Sequence, residues 1–264
     1  MRLGVNIDHI ATLREARRIN EPEPLEAIAY LRNAGANQIT IHLREDRRHI
    51  DDVDVAKIIE CSPLPVNVES SIQPDIIEYL CSLRPHSITL VPEKREEITT
   101  EGGLNLKVKT DQIAKIIQII KQADILPSLF IDPHSEMLQL AKQIQCPKVE
   151  FHTGRYANLF LMLHSNLALT KHSIREFELS RQELHTLLTQ EIKNLAQMAR
   201  EAKDIGLFVA AGHGLNKENL KPIISIAEIQ ELNIGHSIIS RAVFVGLQRA
   251  TEEIIEQFKY PKFY

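Results

Sequence analysis

The sequence predicts an α/β fold: a single (β/α)8 TIM barrel spanning residues 1–264, with an extra helical insertion after the sixth strand. Three observations predict it. Eight short β-rich runs recur along the chain, and each is followed by a stretch of helical periodicity. Most of the runs are close to continuous in apolar residues, as strands buried on both faces are. The length of 264 residues suits eight βα units in one closed barrel, whereas a doubly wound sheet usually stops at about five to seven strands.

In chain order the strands are expected at 3–8 (LGVNID), 38–43 (QITIHL), 65–70 (PVNVES), 87–92 (SITLVP), 126–131 (LPSLFI), 148–153 (KVEFHT), 207–212 (LFVAAG) and 231–236 (ELNIGH). Amphipathic stretches at 24–35, 74–83, 110–123 and 219–229 are each long enough to cross back over a sheet. Two intervals exceed a minimal barrel. The polar run 92–109, with Gly102-Gly103 and paired threonines, has the character of a mobile lid. The interval 157–205 carries an apolar segment followed by a long helical pattern, which serves either a subunit contact or extra packing within the chain.

Apolar residues make up 44% and charged residues 25% of the chain, an ordinary globular composition. Thirty-one Lys and Arg against 35 Asp and Glu give a net charge of −4, which argues against a general nucleic-acid surface, so any anion site is local. Three cysteines, Cys61, Cys81 and Cys146, have no CxxC spacing and leave one unpaired in any disulfide scheme, favouring a reducing, cytoplasmic setting. No apolar run approaches the roughly 20 residues that span a bilayer, so no membrane partner is expected.

A barrel builds its active site where strands end and βα loops begin, and polar residues collect there. Asn6, Asp8 and His9 close the first strand, His42 and Arg44 the second, and Glu69 the third. Glu150 and His152 close the sixth, His213 follows the seventh, and His236 ends the eighth. Five of the eleven histidines thus stand at strand ends, more than chance gives. A carboxylate such as Glu69 at the end of an apolar strand loses solvation, which raises its pKa and suits it to proton transfer. His42 and His213 supply acid and base groups near neutral pH.

Anion binding has two signals. Gly212-His213-Gly214 makes a compact turn, and Gly235-His236-Ser237 opens a helix whose amides face the barrel mouth, where phosphate often binds. The second signal is basic: Arg14, Arg17 and Arg18 in the first βα loop, and Arg44, Arg47, Arg48 and His49 in the second. Interleaved Glu15, Glu45 and Asp46 leave open a solvated, ion-paired surface instead. Two phosphate sites imply a doubly phosphorylated substrate or two substrates. GxGxxG, GxxxxGK[ST] and HExxH are all missing, and no lysine closes a strand, Lys94 lying just beyond the fourth; dinucleotide, P-loop, zincin and Schiff-base chemistry therefore lack support.

The segments GVNIDHIATLREAR (4–17), ITIHLREDRRHI (39–50), LVPEKREEITTEGGL (90–104), EFHTGRYA (150–157), AGHGL (211–215) and ELNIGHSIISRAV (231–243) closely resemble the pyridoxine 5′-phosphate synthase family of vitamin B6 biosynthesis. The resemblance implies a barrel that condenses 1-deoxy-D-xylulose 5-phosphate with 3-amino-2-oxopropyl phosphate to pyridoxine 5′-phosphate, phosphate and water, with no metal or organic cofactor. It implies that His42 and Glu69 accept protons, His213 donates one and Glu150 stabilises a transition state. It assigns Asp8, His9, Arg44, His49 and Thr99 to deoxyxylulose phosphate, and Asn6, Arg17, Gly214, Gly235 and His236 to the amino ketone phosphate. It also implies a homo-octamer of barrels. Three features depart from the family pattern: Ser70-Ser71 after the glutamate where Met-Ala is common, Ala210 where Asn is frequent, and a longer, more apolar 158–185. Two competing readings are a metal-dependent barrel hydrolase using the strand-end histidines as ligands, and a silent barrel that binds phosphorylated metabolites.

Overall fold

The computed structural model describes residues 1–93 and 102–259. Thr99 and Lys94, with the centre of the expected lid, lie outside the described residues. Eight parallel strands close into one barrel in sequence order: β1 (Arg2–Asn6), β2 (Gln38–Leu43), β3 (Val66–Ser70), β4 (Ser87–Leu90), β5 (Leu126–Ile131), β6 (Lys148–His152), β7 (Phe208–Gly212) and β8 (Glu231–Ile234). β1 closes the ring by pairing with both β2 and β8. The helices are α1 (Asp8–Arg17), α2 (Ala27–Ala34), α3 (Asp52–Cys61), α4 (Pro74–Leu83), α5 (Thr110–Gln122), α6 (Ser135–Gln143), α7 (Gly154–His164), α8 (Arg181–Asp204), α9 (Leu220–Ile224), α10 (His236–Val245) and α11 (Leu247–Lys259).

The strands are less uniformly apolar than expected, and the reason positions the site. Successive side chains on a strand point to opposite faces. In β2 the apolar set Ile39, Ile41 and Leu43 joins the buried core, while Gln38 and Thr40 reach across to Asn233 and Glu231. In β3 and β4, Asn67 accepts from Ser87 and Thr89. In β6 and β8, Lys148 donates to Glu231 at 2.6 Å and Asn233 to Glu150 at 2.6 Å. The barrel interior is thus a hydrogen-bonded polar column, and the apolar core lies between strands and helices.

Two local expectations are corrected, and one alternative left open is filled in. Residues 8–17 form a helix rather than a loop: Asp8 in its first turn and Arg14 and Arg17 in its last complement the helix dipole. The 219–229 helix shortens to α9, because Ser225 bonds back to Lys221 and the chain leaves in turns at Ile226 and Ile229. The insertion after β6 packs largely on its own chain: α7 lies against α8, and Leu159, Met162, Leu163, Phe177, Leu184 and Leu188 are buried. Ser180 and Glu183 form a capping box that starts α8. Of this segment Leu169 is fully exposed. Among the described residues no helix is long and apolar enough to cross a membrane.

Candidate active site

The polar column continues upward into the strand ends, so the site is the top layer of the barrel interior. His42 and Glu69 are register partners on β2 and β3, and His42 Nδ1 lies 3.9 Å from Glu69 Oε2. Asp8, the first residue of α1, accepts from the His42 backbone N–H at 2.9 Å and from Asn6 Nδ2 at 2.7 Å. Burial, with Glu150 and then Asp8 nearby, pushes the Glu69 carboxyl well above its ordinary pKa.

Glu150 is buried on β6 and accepts from Asn233. Burial raises its pKa to about 7, against the opposing pull of Lys148 and the Asn233 hydrogen bond. Gly212 makes room for it: a Cβ there would stand 2.2 Å from Glu150 Oε1. His213 follows with φ +80°, held by Thr153 Oγ1, which donates to the carbonyls of Gly212 and His213 at 2.7 Å each. Burial, then the nearby His152, lowers His213 to about 4, so its ring is neutral at neutral pH.

Next around the mouth, after β8 and β1, His9 and His236 meet edge to face at 4.8 Å, and His9 Nδ1 is buried without a partner. Burial and His236 lower the His9 pKa. Gly235 leads into the N-terminus of α10, and Gly214 takes φ +76° with a Cβ position only 2.5 Å from Ala157 Cβ. Asn6, His9, Gly235 and His236 are therefore gathered beside free helix amides. His49, whose ring is 6.3 Å from that of His42, accepts from Ile50 N–H.

The basic signal divides. Arg44 is buried near the site, with Nε 3.4 Å from Asp46. Arg14 makes two bonds to Asp54, Arg47 two to Asp52, and Arg48 pairs with Asp46, so these three are structural or surface ion pairs rather than anion ligands. Arg17 is exposed on the last turn of α1, about 13 Å along the axis from Asp8; no contact among the described residues brings it to the cluster. Two of the departures from the family pattern have local roles. Ser70 and Ser71 spend their hydroxyls on local backbone. Ala210 is buried at the level of Glu150 and Glu231, and Asn233 supplies the polar contact there.

Two carboxylates escaped the sequence reading. Glu93, three residues past β4, holds His42 Nε2 at 2.6 Å. Asp132, just past β5, holds His152 Nδ1 at 3.1 Å and accepts from Gly103 N–H. The strand-end criterion would have found both had it been applied to the fourth and fifth strands.

The sequence profile of the pyridoxal phosphate biosynthesis protein PdxJ matches residues 3–260. Pyridoxine 5′-phosphate synthase of Aliarcobacter butzleri is 54% identical over 98% of this chain and 99% of its own. That of Helicobacter hepaticus is 53% identical over 97% of each. Among solved structures, phosphoribosylanthranilate isomerase from Thermotoga maritima aligns with a TM-score of 0.57 at 11% identity over 98% of both chains, and thiamine phosphate pyrophosphorylase from Pyrococcus furiosus with 0.57 at 12% over 99% and 97%; these share the fold. With nearly the whole chain matched and over half its residues identical to those of a relative, the chain belongs to the PdxJ family of pyridoxal phosphate biosynthesis proteins.

Proposed function

We propose that this chain is a pyridoxine 5′-phosphate synthase, condensing 1-deoxy-D-xylulose 5-phosphate with 3-amino-2-oxopropyl phosphate by acid/base catalysis. The observation that carries the reading is the pairing of His42 with Glu69, whose carboxyl burial pushes well above its ordinary range, beside Glu150 poised near neutrality. The substrate amine must lose a proton to attack the ketone, and the resulting carbinolamine must lose water to become an imine. Groups that gain and release protons near pH 7 serve both steps. Glu69, its basicity raised by burial, accepts a proton beside His42. Glu150 faces the cationic character of the imine, and His213 protonates a leaving oxygen before phosphate departs and the ring closes.

Deoxyxylulose phosphate is held by Asp8, His9, Arg44, His49 and Thr99, and the amino ketone phosphate by Asn6, Arg17, Gly214, Gly235 and His236. An Asp in the first set orients hydroxyls and His42 rather than the anion itself. The assembly is read as a homo-octamer in the cytoplasm, checked by light scattering.

The test supplies both substrates to chelator-treated protein and follows pyridoxine 5′-phosphate and phosphate release in parallel. Equimolar products support the reading, and substrate binding without product overturns it in favour of a silent barrel. One observation favours a metal-dependent alternative: Asp8, His42 and Glu69 bring three ligand atoms within 4.8 Å of one another. Turnover lost on chelation and restored by a divalent cation would establish it.

A further inference from the structure

His42 is one of the proton acceptors in the reading above, and an imidazole accepts a proton only at the nitrogen that carries no hydrogen. Which nitrogen that is depends on what holds the other. Glu93 Oε1 lies 2.6 Å from His42 Nε2, and its second oxygen accepts the backbone N–H of Glu45 at 2.8 Å. Both side chains are more than nine-tenths buried, at 8% and 4% exposure. Burial pushes the Glu93 carboxyl up, but the hydrogen bonds from His42 and from Glu45 N–H outweigh it and hold the group below its ordinary range. Glu93 is thus an ionised acceptor with both oxygens engaged.

We propose that Glu93 is the positioning residue of His42: it takes the Nε2–H, fixes the ring in one tautomer, and leaves the Nδ1 lone pair facing Glu69 Oε2 as the base. The inference rests on the synthase reading for the identity of the reaction, but the tautomer is a property of the ligand-free protein. Glu93 acts through His42. As His42 gains a proton at Nδ1, the carboxylate offsets the imidazolium charge, as a buried Asp does for a catalytic His elsewhere. The same carboxylate pins the Glu45 amide, so the loop after β2 and the ring are held by one group.

Glu93→Gln separates this role from mere packing. A glutamine has one acceptor and one donor end. If its oxygen stays on Glu45 N–H, its NH2 faces His42 Nε2 and drives the proton to Nδ1, removing the lone pair from Glu69. The reverse placement sets a donor against Glu45 N–H. The measurement is nitrogen NMR of 15N-histidine protein, with His42 assigned by its loss in His42→Gln, alongside steady-state kinetics. The wild type is expected to carry the proton on Nε2. Glu93→Gln is expected to move it to Nδ1 and lower kcat by roughly a hundred- to ten-thousandfold, with KM for both substrates changed by less than about threefold. A wild-type ring protonated on Nδ1 overturns the proposal, even where the variant fails to fold. Unchanged turnover in a folded Glu93→Gln overturns it equally. A wild type that makes no pyridoxine 5′-phosphate but keeps Nε2–H would sink the synthase reading while leaving the positioning intact.

Discussion

Single residues at this barrel mouth are set by what surrounds them rather than by their type. Glu69 and Glu93 are both glutamates near His42. Burial beside Glu150 and Asp8 pushes the first well above its ordinary pKa, whereas hydrogen bonds from His42 and Glu45 hold the second below it. Glu69→Gln preserves shape but abolishes proton exchange. It is expected to lower turnover by about a hundredfold or more while calorimetric affinity for either substrate stays near that of wild type; near-normal turnover would reject the assigned role. His213 poses the opposite problem, since burial and His152 keep it neutral down to about pH 4. A donor must first be charged, and a bound dianion favours the charged form. Its NMR titration is therefore expected to move upward when the protein is saturated with substrate phosphate, and no movement would remove it as the donor. Arg44→Ala, by contrast, removes a buried fork beside the site and is expected to weaken deoxyxylulose phosphate binding by about tenfold or more, read by the same calorimetry.

At the scale of elements, the arginines show what the sequence could and could not convey. Charge and position marked Arg14, Arg44, Arg47 and Arg48 alike, because a sequence does not say which acid folds against which base. Arg14 turned out to bridge α1 to α3, with 2.7 and 2.8 Å bonds to Asp54 and a third to the His49 carbonyl. Asp54 also closes the capping box of α3. Arg14→Ala would leave Asp54 buried without its counter-charge, so a loss of about 3 kcal/mol in denaturant-measured stability is expected. The variant should keep its affinity for phosphate, and weakened phosphate binding with unchanged stability would return Arg14 to the anion site. The helices themselves were legible where apolar period and start signals agreed: α4 begins at Pro74 and ends at Leu83 as its pattern requires. α9 was overextended, because continued apolar periodicity through Ile229 does not reveal where the backbone leaves the helix.

Over the whole molecule, the eightfold βα rhythm was plain in the sequence, yet the strands were read as continuously apolar when half of each faces a polar interior. Gln38-Thr40-His42, Asn67-Glu69 and Lys148-Glu150-His152 each step by two toward the mouth, so the alternation was present but short runs of four to six residues obscured it. That interior makes stability pH-dependent with a definite sign. Glu150 has a folded pKa of about 7 against an ordinary 4.5, so the folded protein binds more protons than the unfolded chain between those values. Stability from this group is complete below about pH 4.5 and declines as pH rises through about 7. Glu150→Gln stays uncharged at every pH and can still accept from Asn233. Its melting temperature is therefore expected to match wild type near about pH 5 and to exceed it increasingly toward about pH 8. Lys148 narrows the effect, because its ammonium draws the Glu150 pKa down and is itself engaged by Glu231 at 2.6 Å. A melting difference equal at both pH values would show that Glu150 ionises freely in the folded barrel, and would remove the poised carboxyl on which its catalytic role depends.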